Sequence, residues 1–199
     1  MNVRGTRPVD VPILLARHGE TGDNANGLIL GRRDPPLSAA GWEQAEALAA
    51  RARRAGVAAV WTSPLARARQ TASIVAEAVG CHAVILNDLI ESDRGTWEGQ
   101  SVAQLERASP QLYAAFERGD PAFAFPGGES LLAQMQRTRR ALAEAAAGAA
   151  PALVVAHAGT IRAALLAIGG HVPAERELAH AEIVELMWSA AGAGDAGPG

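Results

Sequence analysis

An uninterrupted apolar run, Val11 to Ala16, stops without transition in Arg17-His18-Gly19-Glu20-Thr21. A run of strand length with no polar alternation suits a strand buried on both faces, at the centre of a parallel-type sheet. Such a strand delivers the next residues to the carboxyl edge of the sheet, where open α/β folds gather their ligands. Here those residues are a cation, an imidazole and a flexible glycine. The pattern recurs far along the chain: Ala152 to Ala156 is apolar and also ends in a histidine and a turn, His157-Ala158-Gly159.

Between these two runs, helix and strand signals alternate. After a polar lead-in over 1–10 and the first strand, Gly19 to Pro36 reads as a long loop, a feature that compact domains usually keep for function. Ser38 suits the N-cap of a helix to about Ala55, with Trp42, Ala45, Ala49 and Ala52 on its inner stripe and Gly56 as its stop. Val57 to Thr62 reads as a strand. Ser63-Pro64 reads as an N-cap and first helical residue, opening a helix to Val79 that sets Arg67 and Arg69 in its first turns. A helix N-terminus at the same sheet edge favours anions.

Ala83 to Leu86 is a short strand, and Asn87 to Gly99, rich in charge and glycine, reads as a site loop. Two short helices are expected between Ser101 and Phe125, and residues 92–126 read as a cap over the sheet edge. The helix from Glu129 to Ala147 sets Leu132, Met135, Leu142 and Ala146 inward and Arg137, Arg139 and Arg140 on a solvated face. A helix Thr160 to Ile168 and a last strand near Ile183 to Trp188 complete the pattern, and 189–199 reads as a disordered low-complexity tail. The expectation is one α/β domain with an ordered core over 11–188: a three-layer α/β/α arrangement, a mostly parallel central sheet and a small helical cap.

Composition narrows the chemistry. All 18 basic residues are arginine, which removes Schiff-base chemistry, a pyridoxal anchor and the phosphate-loop lysine. Any phosphate must be held by arginine, histidine or backbone. A formal net charge of -3 argues against a nucleic-acid footprint. Cys81 is the lone cysteine, so neither an intramolecular disulfide nor a cysteine zinc cluster forms. The run Val11 to Ala16 is too short for a membrane span or signal peptide. A soluble cytoplasmic protein without a cofactor is expected, with no membrane or nucleic-acid partner and an oligomeric state left open.

Four strands thus end near Arg17-His18, near Arg67, near Glu91 and at His157. The planar fork of arginine binds phosphate through charge-assisted hydrogen bonds, so the group suits a phosphoryl centre with His18 as the candidate nucleophile. The ordered set of motifs resembles the histidine phosphatases, the phosphoglycerate mutase-like superfamily. It comprises Arg17-His18-Gly19-Glu20-Thr21 with Asn24, Asp34-Pro35-Pro36-Leu37-Ser38, Ser63-Pro64-Leu65 with Arg67-Ala68-Arg69-Gln70-Thr71-Ala72, Glu91, Gly95-Thr96-Trp97-Glu98-Gly99, Gly127-Gly128-Glu129-Ser130 and His157-Ala158-Gly159. The resemblance implies a phosphohistidine on His18, with Arg17, Asn24, Arg67 and a protonated His157 holding the phosphoryl oxygens. It also implies that Glu91 protonates the leaving oxygen and then activates water. No metal is implied.

Within that resemblance, a phosphatase acting on a small phosphorylated metabolite leads. The stretch Ser92 to Phe125 carries Asp93, Glu98, Glu106, Glu117 and Asp120 against three arginines, a poor surface for retaining the bisphosphate of a mutase. The Asp-Pro-Pro-Leu and Gly-x-Trp-Glu-Gly patterns look like those of α-ribazole and broad-specificity phosphatases. The alternatives are mutase-type phosphoryl transfer, a non-catalytic phospho-ligand or phosphoprotein binder, and, ranked last, a metal-dependent hydrolase. Arg69, Arg94 and Arg162 read as surface or supporting residues, Trp42, Trp61 and Trp188 as core or half-buried packing, and His82, His171 and His180 as structure or surface.

Overall fold

The computed structural model describes residues 11–169, 173–174 and 177–189. The lead-in, His171 and the tail beyond Ser189 lie outside them. Five strands form one sheet: β1 (Val11–Arg17), β2 (Ala59–Thr62), β3 (Ala83–Ile85), β4 (Ala152–Ala156) and β5 (Ile183–Trp188), in the order β3-β2-β4-β1-β5. The first four are mutually parallel and only β5 is antiparallel, beside β1. The carboxyl ends of four strands therefore lie along one edge, as expected.

Alternation along β1 divides the interior into two layers. Ile13 and Leu15 join Val154 and Leu186 against α6 (Leu131–Ala146) and α7 (Ala158–Ala167). Ala16, with Leu153 and Val155, packs against α2 (Ala39–Arg54) and α3 (Ala66–Val79). Alanines at 45, 49, 52, 68, 72 and 76 let these two helices approach each other and the sheet closely. A third cluster is aromatic. All three phenylalanines and the single tyrosine of the chain surround Trp97, over α4 (Val102–Ala108) and α5 (Pro110–Glu117). Phe123 and Phe125 cross edge-to-face at 4.8 Å, the geometry the ring quadrupole favours.

Several local expectations shift. The loop after β1 contains a single helical turn, α1 (Gly22–Ala25), closed by a capping box between Thr21 and Asn24. Ser38 caps α2 as expected, accepting from Gly41 N–H, but the buried stripe is Gly41, Ala45, Leu48, Ala49 and Ala52, leaving Trp42 43% exposed. The helix expected at Ser63-Pro64 begins at Ala66. Ser63 turns its hydroxyl to His157 instead, and Asp34 Oδ1 accepts the Ala66 N–H at 2.7 Å, supplying from another segment the cap that α3 lacks. In α6 the inward face carries Leu131, Gln134, Thr138 and Leu142, so Leu132 is exposed. Arg137 sits on that inward face too, buried rather than solvated, because Glu129 takes two of its N–H groups and the carbonyls of Asp88 and Ile90 accept two more.

Candidate active site

The register between β1 and β4 sets Arg17 opposite Ala156, so the next residues leave adjacent parallel strands side by side. These are His18 and His157, with ring centroids 5.1 Å apart. His18 is buried, and its Nδ1 lies 2.7 Å from the Gly19 carbonyl. A carbonyl only accepts, so Nδ1 carries the proton and Nε2 keeps its lone pair. Arg67 Nε donates to that nitrogen at 3.1 Å. Burial first, then the charges of His157, Arg67 and Arg17, push the imidazole well below its ordinary value, so it stays neutral.

Arg67 is fixed on every side. Its Nη1 and Nη2 donate to the carbonyls of Arg33 and Gly31 at 2.6 and 2.9 Å, and Asp34 stands 3.7 Å away. Burial pushes its pKa down to about 10, which leaves it charged at neutral pH. Arg17 Nη1 donates to the Leu178 carbonyl at 2.7 Å. Asn24 uses Oδ1 to accept from both the N–H and the hydroxyl of Thr21, which reserves its NH2 group for donation. Glu20 accepts from the Ser38 hydroxyl and so ties the loop to α2.

His157 differs from the expectation of a positive charge. Burial, followed by Arg67, Arg137, Arg17 and Arg94, holds it well below the ordinary imidazole value, so the protein's own groups favour the neutral ring. Its Nε2 lies 2.7 Å from Ser63 Oγ. That hydroxyl also accepts from Leu65 N–H, and having one proton and two lone pairs it pairs with either tautomer of the His157 ring.

Glu91 is buried and saturated. Oε1 accepts from Ser92 N–H at 2.8 Å, from the Ser92 hydroxyl at 3.2 Å and from Gln134 Nε2 at 3.1 Å. Oε2 accepts from Gly159 N–H at 3.1 Å, at the start of α7, and from Arg94 Nη2 at 3.4 Å. Desolvation opposes ionisation, but Arg94, the Ser92 amide, Arg67 and Arg137 outweigh it and lower the carboxyl pKa. The group is a carboxylate rather than the acid expected for its first role.

Sequence reasoning missed three contributors and left a fourth, Arg94, between surface and support. Ser63 was read only as a helix cap. Arg94, read as surface or supporting, is 2% exposed, with its guanidinium 5.3–5.4 Å from the rings of Phe116 and Phe125. Gln134 hid in the polar positions of α6. His180 comes to the site because antiparallel pairing of β5 with β1 folds the preceding turn over the end of β1, where its Nδ1 meets the His18 carbonyl at 3.1 Å. Burial and Arg17 push its pKa down to about 4. A mid-helix arginine read as peripheral, Arg162, is buried too and donates to the C-terminal carbonyls of α5, tying the aromatic cluster to α7. Arg69 and His82 are exposed as expected.

A cavity of about 530 Å³ opens on this cluster, with His157 behind its lining, beside His18. Arg17, His18, Asn24, Arg67, Glu91 and Arg94 form its polar end, while Leu28, Ile29, Val102, Tyr113 and Phe116 form an apolar wall. A neutral nitrogen nucleophile, fixed cations and a carboxylate around one space are the elements of phosphoryl transfer.

The family model for the histidine phosphatase superfamily (branch 1) matches residues 13–193. The chain belongs to the histidine phosphatase superfamily. Its similarity to members of that superfamily is substantial. It is 38% identical over 161 residues to the bifunctional protein Rv2228c of Mycobacterium tuberculosis, matching 79% of this chain and 44% of that one. The chain thus aligns with less than half the length of this curated relative. It is 39% identical to a probable phosphoglycerate mutase GpmB of Klebsiella pneumoniae, over 71% of this chain and 67% of that protein. Among solved structures, a mycobacterial glucosyl-3-phosphoglycerate phosphatase, Rv2419c, in complex with VO3 superposes with a TM-score of 0.77 at 28% identity, covering 90% of this chain and 92% of that one. A Thermus thermophilus protein, TTHB049, gives 0.72 at 33%, covering 89% and 94%. Among the described residues no helix is long and apolar enough to cross a membrane.

Proposed function

We propose that this superfamily member is a metal-independent phosphatase that hydrolyses phosphomonoesters of small metabolites through a phosphohistidine on His18. The observation that carries the reading is the tautomer: the Gly19 carbonyl accepts from Nδ1–H, so the ring's lone pair sits on Nε2 at the cavity, where the hydrogen bond from Arg67 Nε gives way to phosphorus. In the first step the lone pair forms an N–P bond while the bond from phosphorus to the leaving oxygen breaks. Arg17, Arg67, the Asn24 amide and His157 hold the remaining phosphoryl oxygens. A bound dianion also opposes the lowering of the His157 pKa and favours its charged form. In the second step water attacks phosphorus, its proton passes to the Glu91 carboxylate, and the N–P bonding pair returns to Nε2 as phosphate leaves.

The similarity to a glucosyl-3-phosphoglycerate phosphatase supports hydrolysis. The similarity to a probable phosphoglycerate mutase keeps transfer between phosphoglycerates as the second reading. Against it stands the acidic balance of 92–125, which disfavours retention of a second phosphate. The reading takes 11–188 as one catalytic domain with 92–126 as its cap, a cytoplasmic location, and kinship with α-ribazole and broad-specificity phosphatases. Phosphate release from a panel of phosphomonoesters, with His18→Ala as blank, tests it. Hydrolysis that EDTA leaves intact and His18→Ala abolishes is expected. A wild type that binds phosphate without turnover, or interconverts phosphoglycerates without releasing phosphate, would overturn it.

A further inference from the structure

The motif Gly95-Thr96-Trp97-Glu98-Gly99 carries one acid that the proposed reaction does not use. Trp97 packs in the aromatic cluster, and Glu98 reaches the turn over 30–33, which a hydrogen bond from Arg33 N–H to the Leu30 carbonyl closes. Glu98 Oε1 accepts there from Arg32 N–H at 2.8 Å, and the same oxygen accepts from Arg94 N–H at 3.2 Å. Main-chain hydrogen bonds set the two segments side by side: Ile29 N–H donates to the Gln100 carbonyl at 2.9 Å and Gly99 N–H to the Ile29 carbonyl at 2.8 Å.

The turn over 30–33 is also the cradle of Arg67, whose Nη2 donates to the Gly31 carbonyl and Nη1 to the Arg33 carbonyl. The Gly31 carbonyl and the Arg32 N–H belong to one planar peptide unit, so Glu98 and Arg67 grip its opposite ends. Arg67 Nε carries the chain of hydrogen bonds on to His18 Nε2. Bonds in such a chain polarise and strengthen one another. Gly31 cannot fix this peptide alone: it sits at φ +56°, and the wide φ/ψ range of glycine lets the peptide that follows turn over at little steric cost. Turned over, it would aim an N–H at the Arg67 guanidinium, donor against donor. The Glu98 carboxylate opposes that movement, lying so close that a Cβ on Gly31 would stand 2.2 Å from Oε1. The exposed ion pair of Arg32 with Asp93 holds a side chain rather than the peptide.

We propose that Glu98 is a positioning residue of the phosphate site, fixing the Gly31-Arg32 peptide so that its carbonyl holds Arg67 in the orientation that meets a phosphoryl group. The inference rests on the role given to Arg67 in the reading above and deepens it. Through Arg94 N–H the same oxygen ties the cradle of Arg67 to the loop that carries Glu91. The phosphate clamp and the proton-transfer group thus share one anchor.

Binding of inorganic phosphate to the whole chain, followed by isothermal titration calorimetry, tests this, with hydrolysis of p-nitrophenyl phosphate measured alongside. Glu98→Ala is expected to weaken phosphate binding about tenfold, the scale of one hydrogen bond to a charged group. Glu98→Gln keeps an oxygen acceptor at the same reach and should stay within about threefold of the wild type. Glu98→Asp keeps the charge but draws the oxygen back by one methylene, and it should behave like Glu98→Ala. In an Arg67→Met background Glu98→Ala should change phosphate affinity by less than about twofold, since the two residues act in series. Equal weakening in both backgrounds, the mark of a general loosening of the fold, would overturn the proposal. So would unchanged affinity in Glu98→Ala, or a loss in Glu98→Gln as large as that in Glu98→Asp. If Glu98→Ala or Arg67→Met does not fold, the comparison of Glu98→Asp with Glu98→Gln decides. Phosphate affinity that Arg67→Met leaves intact would remove the role of Arg67 and the proposal with it. Phosphate bound without hydrolysis of p-nitrophenyl phosphate would instead remove the phosphatase reading and leave this proposal to the binding data.

Discussion

At the scale of single residues, the site depends on which nitrogen of each histidine carries hydrogen. The Gly19 carbonyl makes that choice for His18, and the Ser63 hydroxyl is the hydrogen-bond partner that orients the His157 ring. Ser63→Ala removes a buried 2.7 Å hydrogen bond and leaves the His157 ring without the partner that orients it. A net hydrogen bond contributes about 1 kcal/mol, so kcat on p-nitrophenyl phosphate should fall by about 5- to 10-fold, with Ser63→Thr restoring most of it. Steady-state kinetics of the two variants check this. An unchanged kcat in Ser63→Ala would mean that His157 is positioned without Ser63.

At the scale of elements, the nucleophile is held by backbone pressed on backbone. The first turn of α2 lies directly under the loop that carries His18. A Cβ on Gly41 would stand 2.1 Å from the Glu20 carbonyl oxygen, and one on Gly19 would stand 2.3 Å from the Gly41 carbonyl oxygen. No side-chain movement relieves such a contact, so Gly41→Ala must push α2 from the loop. We expect a loss of about 1–3 kcal/mol, the cost of overpacking, together with a fall in kcat larger than any rise in KM. Urea unfolding and kinetics on the same protein measure both. Helix propensity alone predicts the opposite sign, since alanine improves an unstrained helix by about 1 kcal/mol.

At the scale of the whole molecule, aliphatic layers hold the sheet and an aromatic cluster holds the α4–α5 segment. Trp97 sits at the centre of that cluster, 2% exposed and within 6.0 Å of four other rings. Trp97→Ala should cost about 3–5 kcal/mol and should release the wall formed by Tyr113 and Phe116, lowering activity before the sheet melts. Comparing loss of activity with loss of far-UV circular dichroism during urea titration would reveal this order. Coincident transitions would show that the cluster and the sheet unfold together.

The buried histidines give the whole fold a pH dependence of definite sign. His18 and His157 stay neutral in the folded state well below the value of 6.5 at which the unfolded chain takes up protons. Their contribution is complete above pH 6.5 and is lost as pH falls below it, at about 1.4 kcal/mol per pH unit for each. His180, pushed down to about 4, acts in the same direction to a smaller extent because it is partly exposed. The urea midpoint should therefore drop between pH 7 and pH 5. A midpoint that rises over that interval would show the histidines to be charged in the fold.

The sequence by itself determined the elements whose signals are local. Continuous apolar runs marked β1 and β4, and Ser38 and Gly80 bounded helices, as capping and left-handed stops require. The ordered motifs brought His18, Arg17, Asn24, Arg67, Glu91 and His157 to one family and, in the fold, to one end of the sheet. Tertiary structure alone decided the rest. Ser63 left its helix because His157 competes for its hydroxyl, and Asp34 capped α3 from 32 residues away. Arg137 read as solvated and Arg94 as surface or supporting until burial gave each its partners, Gln134 carried no signal of its own, and His180 entered through the antiparallel register of β5. Local chemistry names the groups that can react. Only long-range packing fixes which proton each one carries, because that depends on donors and charges that no neighbouring stretch of sequence contains.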